Sequence, residues 1–112
     1  MRTQVLVKLL DEEDQLKYDP HMRELRESEQ QARIFAALAD PVRVRIVREL
    51  MGGGEYTGTA LAQELGISLA LFCHHSRILV ESGVVTKRKE AQTAYLRANR
   101  RVLADCMKNL LA

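Results

Sequence analysis

Between Thr3 and Lys17 the apolar residues Val5, Leu6, Leu9, Leu10 and Leu16 fall largely on one stripe of a helical wheel, which predicts an amphipathic helix. Tyr18-Asp19-Pro20 should end it, because the residue before a proline is pushed out of the helical region. A more polar helix is expected from His21 onward. Ser28 to Gln31 offers a capping box ahead of Ala32, Phe35, Ala36, Leu38 and Ala39, and the pattern leaves open whether the helix restarts there or runs through. Asp40-Pro41 then opens a new helix: the aspartate can accept from free amides of the first turn, and a proline at the first helical position loses no hydrogen bond. That helix directs Val42, Ile46, Val47 and Leu50 inward and Arg43, Arg45 and Arg48 outward, and stops at Met51-Gly52-Gly53-Gly54.

The stretch from Tyr56 to Arg97 reads as helix, tight turn, helix, then a two-stranded ribbon. Leu61 and Leu65 lie four apart on one helical face, and Gly66-Ile67-Ser68 interrupts the period before a second one begins. Gly66 stands where the chain must leave the helix, with positive φ, Ile67 can drop into the core, and Ser68 can cap the next helix with its hydroxyl. The second helix is expected from Leu69 to Ser82, ending at Gly83. Val84 to Lys89, a short polar turn, and Thr93 to Arg97 make a β-hairpin. A last helical period, Val102, Leu103, Cys106, Met107, Leu110 and Leu111, closes the chain and needs a hydrophobic partner. The fold class is therefore mainly α with a small β-hairpin wing. Residues 1–29 read as an N-terminal helical extension and residues 30–112 as one domain. At 112 residues the core is modest and a homodimer would help, and the N-terminal helix either lies across its own domain or embraces a second subunit.

Charge matters only when split along the chain. Residues 1–56 hold nine Lys and Arg against eleven Asp and Glu, and residues 57–112 hold eight against four. The basic excess clusters at Lys87, Arg88, Lys89, Arg97, Arg100 and Arg101, as a phosphate-contacting surface requires. The competing reading is a solvated ribbon edge, since lysines also keep exposed strands from pairing. No run of eighteen apolar residues offers a membrane span, and the acidic run Asp11 to Asp14 argues against a signal peptide, so a cytoplasmic location is expected. In that compartment Cys73 and Cys106 stay thiols. Gly52 to Gly54 is not a P-loop, because Glu55-Tyr56 supplies no Lys-Ser or Lys-Thr. Nothing resembles a Ser-His-Asp or Cys-His catalytic arrangement, so an enzyme is not expected.

Four stretches together carry a family resemblance. Ala36-Ala37-Leu38-Ala39-Asp40-Pro41-Val42-Arg43-Val44-Arg45-Ile46 resembles the opening motif of the ArsR/SmtB winged helix-turn-helix repressors, and Leu61 to Ser68 resembles their first helix-turn-helix segment. Cys73-His74-His75 stands where these proteins often have Ser-His-His, and Gly83-Val84-Val85 leads into the basic wing. The resemblance implies a homodimeric repressor that dimerises through its N- and C-terminal helices and whose two reading helices enter successive major grooves of a near-palindromic operator. An α-helix fits that groove, and a two-fold dimer sets two of them about one DNA turn, ~34 Å, apart.

In the reading helix, Phe72, His75, Ser76 and Leu79 share the inward face, which leaves Leu69, Ala70, Cys73, His74 and Arg77, next to Ser68, for DNA. From the wing, Lys87, Arg88, Lys89, Gln92 and Thr93 should follow the phosphate backbone. His75 is expected to be a packed, hydrogen-bonded histidine rather than a ligand. Leu69 replaces the polar residue usual in the family, and Glu90-Ala91 replaces Glu-Gly at the wing tip, which implies a turn without a glycine-only position. The metal-sensing members' Cys-x-Cys pair is absent, with Thr59, Ala60 and Leu61 in that region, and Asp105 and Cys106 lack accompanying histidines. No metal and no cofactor is expected, and the inducer is unknown. Thiol chemistry at Cys73, or at Cys106 against its symmetry mate, is the candidate sensing route. The alternative function is a winged-helix protein-interaction module without specific DNA binding.

Overall fold

The computed structural model describes residues 20–112. The amphipathic helix expected from Thr3 to Lys17 lies outside them. Element order is α1 (Pro20–Leu38), α2 (Pro41–Met51), β1 (Tyr56–Thr57), α3 (Gly58–Leu65), α4 (Leu69–Ser82), β2 (Val85–Glu90), β3 (Thr93–Ala98) and α5 (Arg100–Leu111). Helix α1 runs without a break through Ser28, since no glycine or proline interrupts it and an exposed serine costs a helix interior only a few tenths of a kcal/mol. Up to Ala32 its residues are mostly exposed, Leu25 among them; Arg33–Ala112 form a compact unit of their own.

Within that unit the helices begin and end where local chemistry dictates. Asp40 is in extended backbone and its carboxylate accepts from the amides of Val42 (3.0 Å) and Arg43 (3.2 Å), with Pro41 in the first turn. Gly66 caps α3 in the left-handed region (φ 69), where its amide and that of Ile67 donate to the carbonyls of Gln63 and Ala62. Ser68 Oγ accepts from the amide of Leu71 (3.1 Å) to start α4, and Gly83 (φ 86) ends it.

The core joins Ile34 and Ala37 of α1, Ile46 and Leu50 of α2, Leu61 and Leu65 of α3, Phe72 and Leu79 of α4, and Val85 and Leu96 of the sheet. Each large side chain taken fully out of water there contributes about 1.5–3 kcal/mol before entropy is counted. The expected β2–β3 hairpin is present, and a short third strand joins it. The sheet has three antiparallel strands in the order β1-β3-β2, with Tyr56 opposite Leu96 and Thr57 opposite Tyr95. Tyr56 therefore belongs to the sheet and not to the helix, which starts at Gly58 under a Thr57 cap whose Oγ1 accepts from the Ala60 amide (3.1 Å).

Helix α5 is tied at its start and half-packed along its length. Asn99 donates its amide to Val84 O (2.7 Å) and accepts from Val102 N through its side chain (3.3 Å), while Arg100 Nη1 donates to Met51 O (2.6 Å) at the end of α2. Cys106 is buried, and Val102 and Leu103 pack on the core. The other face leaves Met107, Leu110 and Leu111 exposed.

Candidate nucleic-acid interface

The exposed face of α4 follows from what its other face must bury. Phe72, His75, Leu79 and Ser82 go into the core at spacings of three and four, so Ala70, Cys73, His74 and Arg77 are left outside. Leu69 is 51% exposed at the helix start, with no polar group to read a base edge. Ser68 is exposed, but its hydroxyl serves as the helix cap. Ser76 lies between the two faces and donates to Cys73 O (3.2 Å).

A cleft of about 580 Å³ opens between α4 and the wing. Leu69, Cys73 and Arg77 line it from the helix, and Lys87, Gln92 and Thr93 from the wing. These are six of the residues that sequence reasoning assigned to DNA. Ala70 and His74 lie further round α4, and Lys89 is on the same strand face as Lys87, two residues nearer the tip. Phe72, Val80 and Leu96 form the cleft floor. A third wall, at Thr57, Gly58 and Thr59, was not anticipated. It brings the start of α3 to the cleft. Thr-Gly-Thr ahead of an apolar period is a capping signal that could have located it. Gly58 packs closely there: a Cβ would stand 3.1 Å from Cε1 of the buried Phe72 ring, which would have to give by a few tenths of an ångström.

Arg88 is not brought to this cleft. Strand alternation turns it to the other face of the wing, where Nε and Nη2 donate to Glu55 (3.1 and 3.2 Å), Nη1 donates to Glu90 (2.8 Å), and the guanidinium lies 4.5 Å from the centre of the Tyr95 ring. Those carboxylates raise its pKa further, and the bonds from Arg88 hold the Glu55 carboxyl below its ordinary value against some desolvation. The wing's basic surface on the α4 side is thus Lys87 and Lys89 alone.

Three other expectations need correction. Ala91 at the wing tip has φ 54, so the turn does use a left-handed residue where a glycine would be unstrained. Cys106 is 4% exposed and points into its own core, so neither a symmetry mate nor an oxidant has access to it; Cys73 is exposed. Arg43 does not point outward. It is half-buried, donating through Nε to Ala37 O (2.6 Å), through Nη2 to Ala36 O (3.5 Å) and through Nη1 to His75 Nδ1 (3.1 Å). His75 is the packed, hydrogen-bonded histidine expected. Asp40 Oδ2 lies 3.8 Å from the same imidazole nitrogen. Desolvation works against the Asp40 charge, but the amides of Arg43 and Val42, the Arg43 charge, and that of His75 when protonated together hold its carboxyl below the ordinary value. Among the described residues no three His, Cys, Asp or Glu side chains gather as metal donors, and no helix is long and apolar enough to cross a membrane.

Known proteins share this architecture. A family model described as a helix-turn-helix domain matches residues 38–88. The transcriptional repressor SdpR of Bacillus subtilis (strain 168) is 32% identical over 78 residues, which cover 70% of this chain and 86% of the repressor. The arsenical resistance operon repressor of Staphylococcus aureus is 30% identical over 77 residues, covering 69% of this chain and 73% of that protein. Among solved structures, the homodimeric winged helix-turn-helix DNA-binding domain of Mb0332 from Mycobacterium bovis, a possible ArsR-family regulator, superposes with a TM-score of 0.68 at 27% identity. The match covers 80% of this chain and 82% of that one.

Proposed function

This chain belongs to the ArsR family of winged helix-turn-helix proteins and is a DNA-binding transcriptional regulator; we propose that it is a homodimeric repressor of a near-palindromic operator, acting in the cytoplasm and released by a signal yet to be identified. The observation that carries the reading is the cleft, where the exposed face of a core-anchored helix and the lysine-bearing face of the wing meet around one groove. In this reading α4 enters the major groove. Arg77 and His74 donate to base edges or phosphates, Ala70 and Cys73 permit close approach, and Leu69 offers an apolar contact to a thymine methyl. Lys87, Lys89, Gln92 and Thr93 follow the sugar-phosphate backbone beside the start of α3.

The exposed apolar face of α5, with Met107, Leu110 and Leu111, supports a two-fold interface that would set the two reading helices on successive major grooves. The N-terminal segment is proposed to complete that interface. Repression agrees with the names of the two curated relatives. The experiment is a salt series of binding to the DNA upstream of this protein's own gene, with excess random duplex as competitor. Tight, competitor-resistant binding that weakens steeply with salt is expected. Absence of binding at low salt would favour the protein-interaction module instead. Adding zinc, arsenite, peroxide or polysulfide to the same assay then searches for the inducer.

A further inference from the structure

Arg43 and His75 touch no DNA in the proposed docking, yet they stand at the junction of three helices. The Arg43 guanidinium donates to two last-turn carbonyls of α1, Ala36 O and Ala37 O, and to Nδ1 of His75 in the middle of α4. Its own amide is held by Asp40 at the start of α2. An arginine only donates, so Nδ1 of His75 must accept and the ring proton sits on Nε2. His75 in turn meets His74 edge to face, with ring centroids 5.2 Å apart at 64°. The chain of contacts therefore runs from the end of α1, through Arg43 and the buried imidazole, to an exposed histidine on the proposed DNA face.

Building on the DNA-binding reading, we propose that Arg43 and His75 are positioning residues for operator recognition: their hydrogen bond fixes the rotation of α4 about its axis and the orientation of the His74 ring. Geometry explains why the pair is suited to this. The apolar contacts of Phe72 and Leu79 hold α4 against the core but are non-directional. The Arg43–His75 bond is directional, and adjacent helical residues project about 100° apart, so fixing His75 fixes where His74 and, by the same helix, Arg77 point. A planar fork that serves two carbonyls and an imidazole at once cannot be reproduced by lysine.

The test combines a spectrum with a binding ratio. Imidazole nitrogen spectra of the wild-type protein should show His75 with an unprotonated, hydrogen-bonded Nδ1 and a protonated Nε2, and Arg43→Lys should lose the Nδ1 bond. In operator binding, Arg43→Lys and His75→Leu should each lower affinity about tenfold, while binding to random duplex at low salt stays about the same. The double variant should be no worse than the weaker single one, because both remove one contact. His75→Asn, which keeps an acceptor near the Nδ1 position, should recover most of the loss. Folded variants that retain the wild-type ratio of operator to random binding would overturn the proposal, as would a wild-type spectrum with the proton on Nδ1. Failure of the wild type to prefer its operator would instead strike the DNA-binding reading, and the spectrum would still decide the contact.

Discussion

Helix α4 and the wing both face the same cleft, but they are held by different forces. Four side chains of α4 are buried, and both its ends are capped. Strand β2 buries Val85 alone, and from Thr86 to Glu90 it is exposed and held by its ladder with β3. The helix therefore cannot slide or lift without opening the core, and the Arg43–His75 bond adds a directional hold on its rotation, whereas the wing can shift at its tip for little cost. That division suits the proposed roles. Reading a base edge needs a fixed donor position, while tracking phosphates rewards charge nearby and tolerates compliance.

The largest test of that contrast is Phe72→Ala, which removes the central anchor of α4. It should cost about 3–5 kcal/mol of stability in denaturant unfolding; a loss below about 1 kcal/mol would mean burial is not what holds the helix. Arg77→Ala comes next, and should cost about 1–3 kcal/mol of operator binding with the melting temperature unchanged. In the wing, the two faces should separate cleanly. Lys87→Ala should reduce the slope of log affinity against log salt by about one, whereas Arg88→Ala should leave it as it is, because Arg88 already serves Glu55 and Glu90. An equal loss of slope from both would show that the Arg88 ion pairs open on DNA. The smallest effect should be Ala91→Gly. Relief of the left-handed alanine, about 1 kcal/mol, slightly exceeds the extra freedom a glycine gives the unfolded chain, so the wing should gain a few tenths of a kcal/mol with binding unaltered.

Much of this was legible where chemistry is local. Asp40-Pro41, Gly66, Ser68 and Gly83 act on residues within a turn of themselves, and each performs the expected role. Three inward positions of α4, Phe72, His75 and Leu79, followed from its period, but Ser76, expected inward with them, lines the cleft, and Ser82 is the fourth buried side chain. Strand β1 was not legible: two residues carry no alternation, and their partners lie far along the chain. Arg43 was misplaced for a related reason. Its position on the helix suits an exposed arginine, and only the arrival of His75 from α4 and the end of α1 turns it inward. The fate of Arg88 could have been read, since consecutive strand residues alternate faces and Lys87 and Arg88 cannot both meet the same groove. Cys106 shows the limit of an apolar helical stripe, which tells that a side chain is covered but not whether its own core or another subunit covers it.

The two-residue strand β1 has a consequence for how the molecule assembles in time. The hairpin β2–β3 and the helix pair α3–α4 form from near neighbours in sequence, but Tyr56 and Thr57 meet Leu96 and Tyr95 only after α3, α4 and β2 have all been passed. Closing so long a loop costs entropy that only a nearly complete structure repays, so this clasp should form late. Weakening it should then speed unfolding and leave the folding rate almost unchanged, a pattern stopped-flow measurements on Tyr56→Ala, which strips the β1 side chain packed on the core and spares the Thr57 cap, would reveal. The last stitch made is also the first to loosen, and it lies at the wall of the cleft where the start of α3 would meet the phosphate backbone.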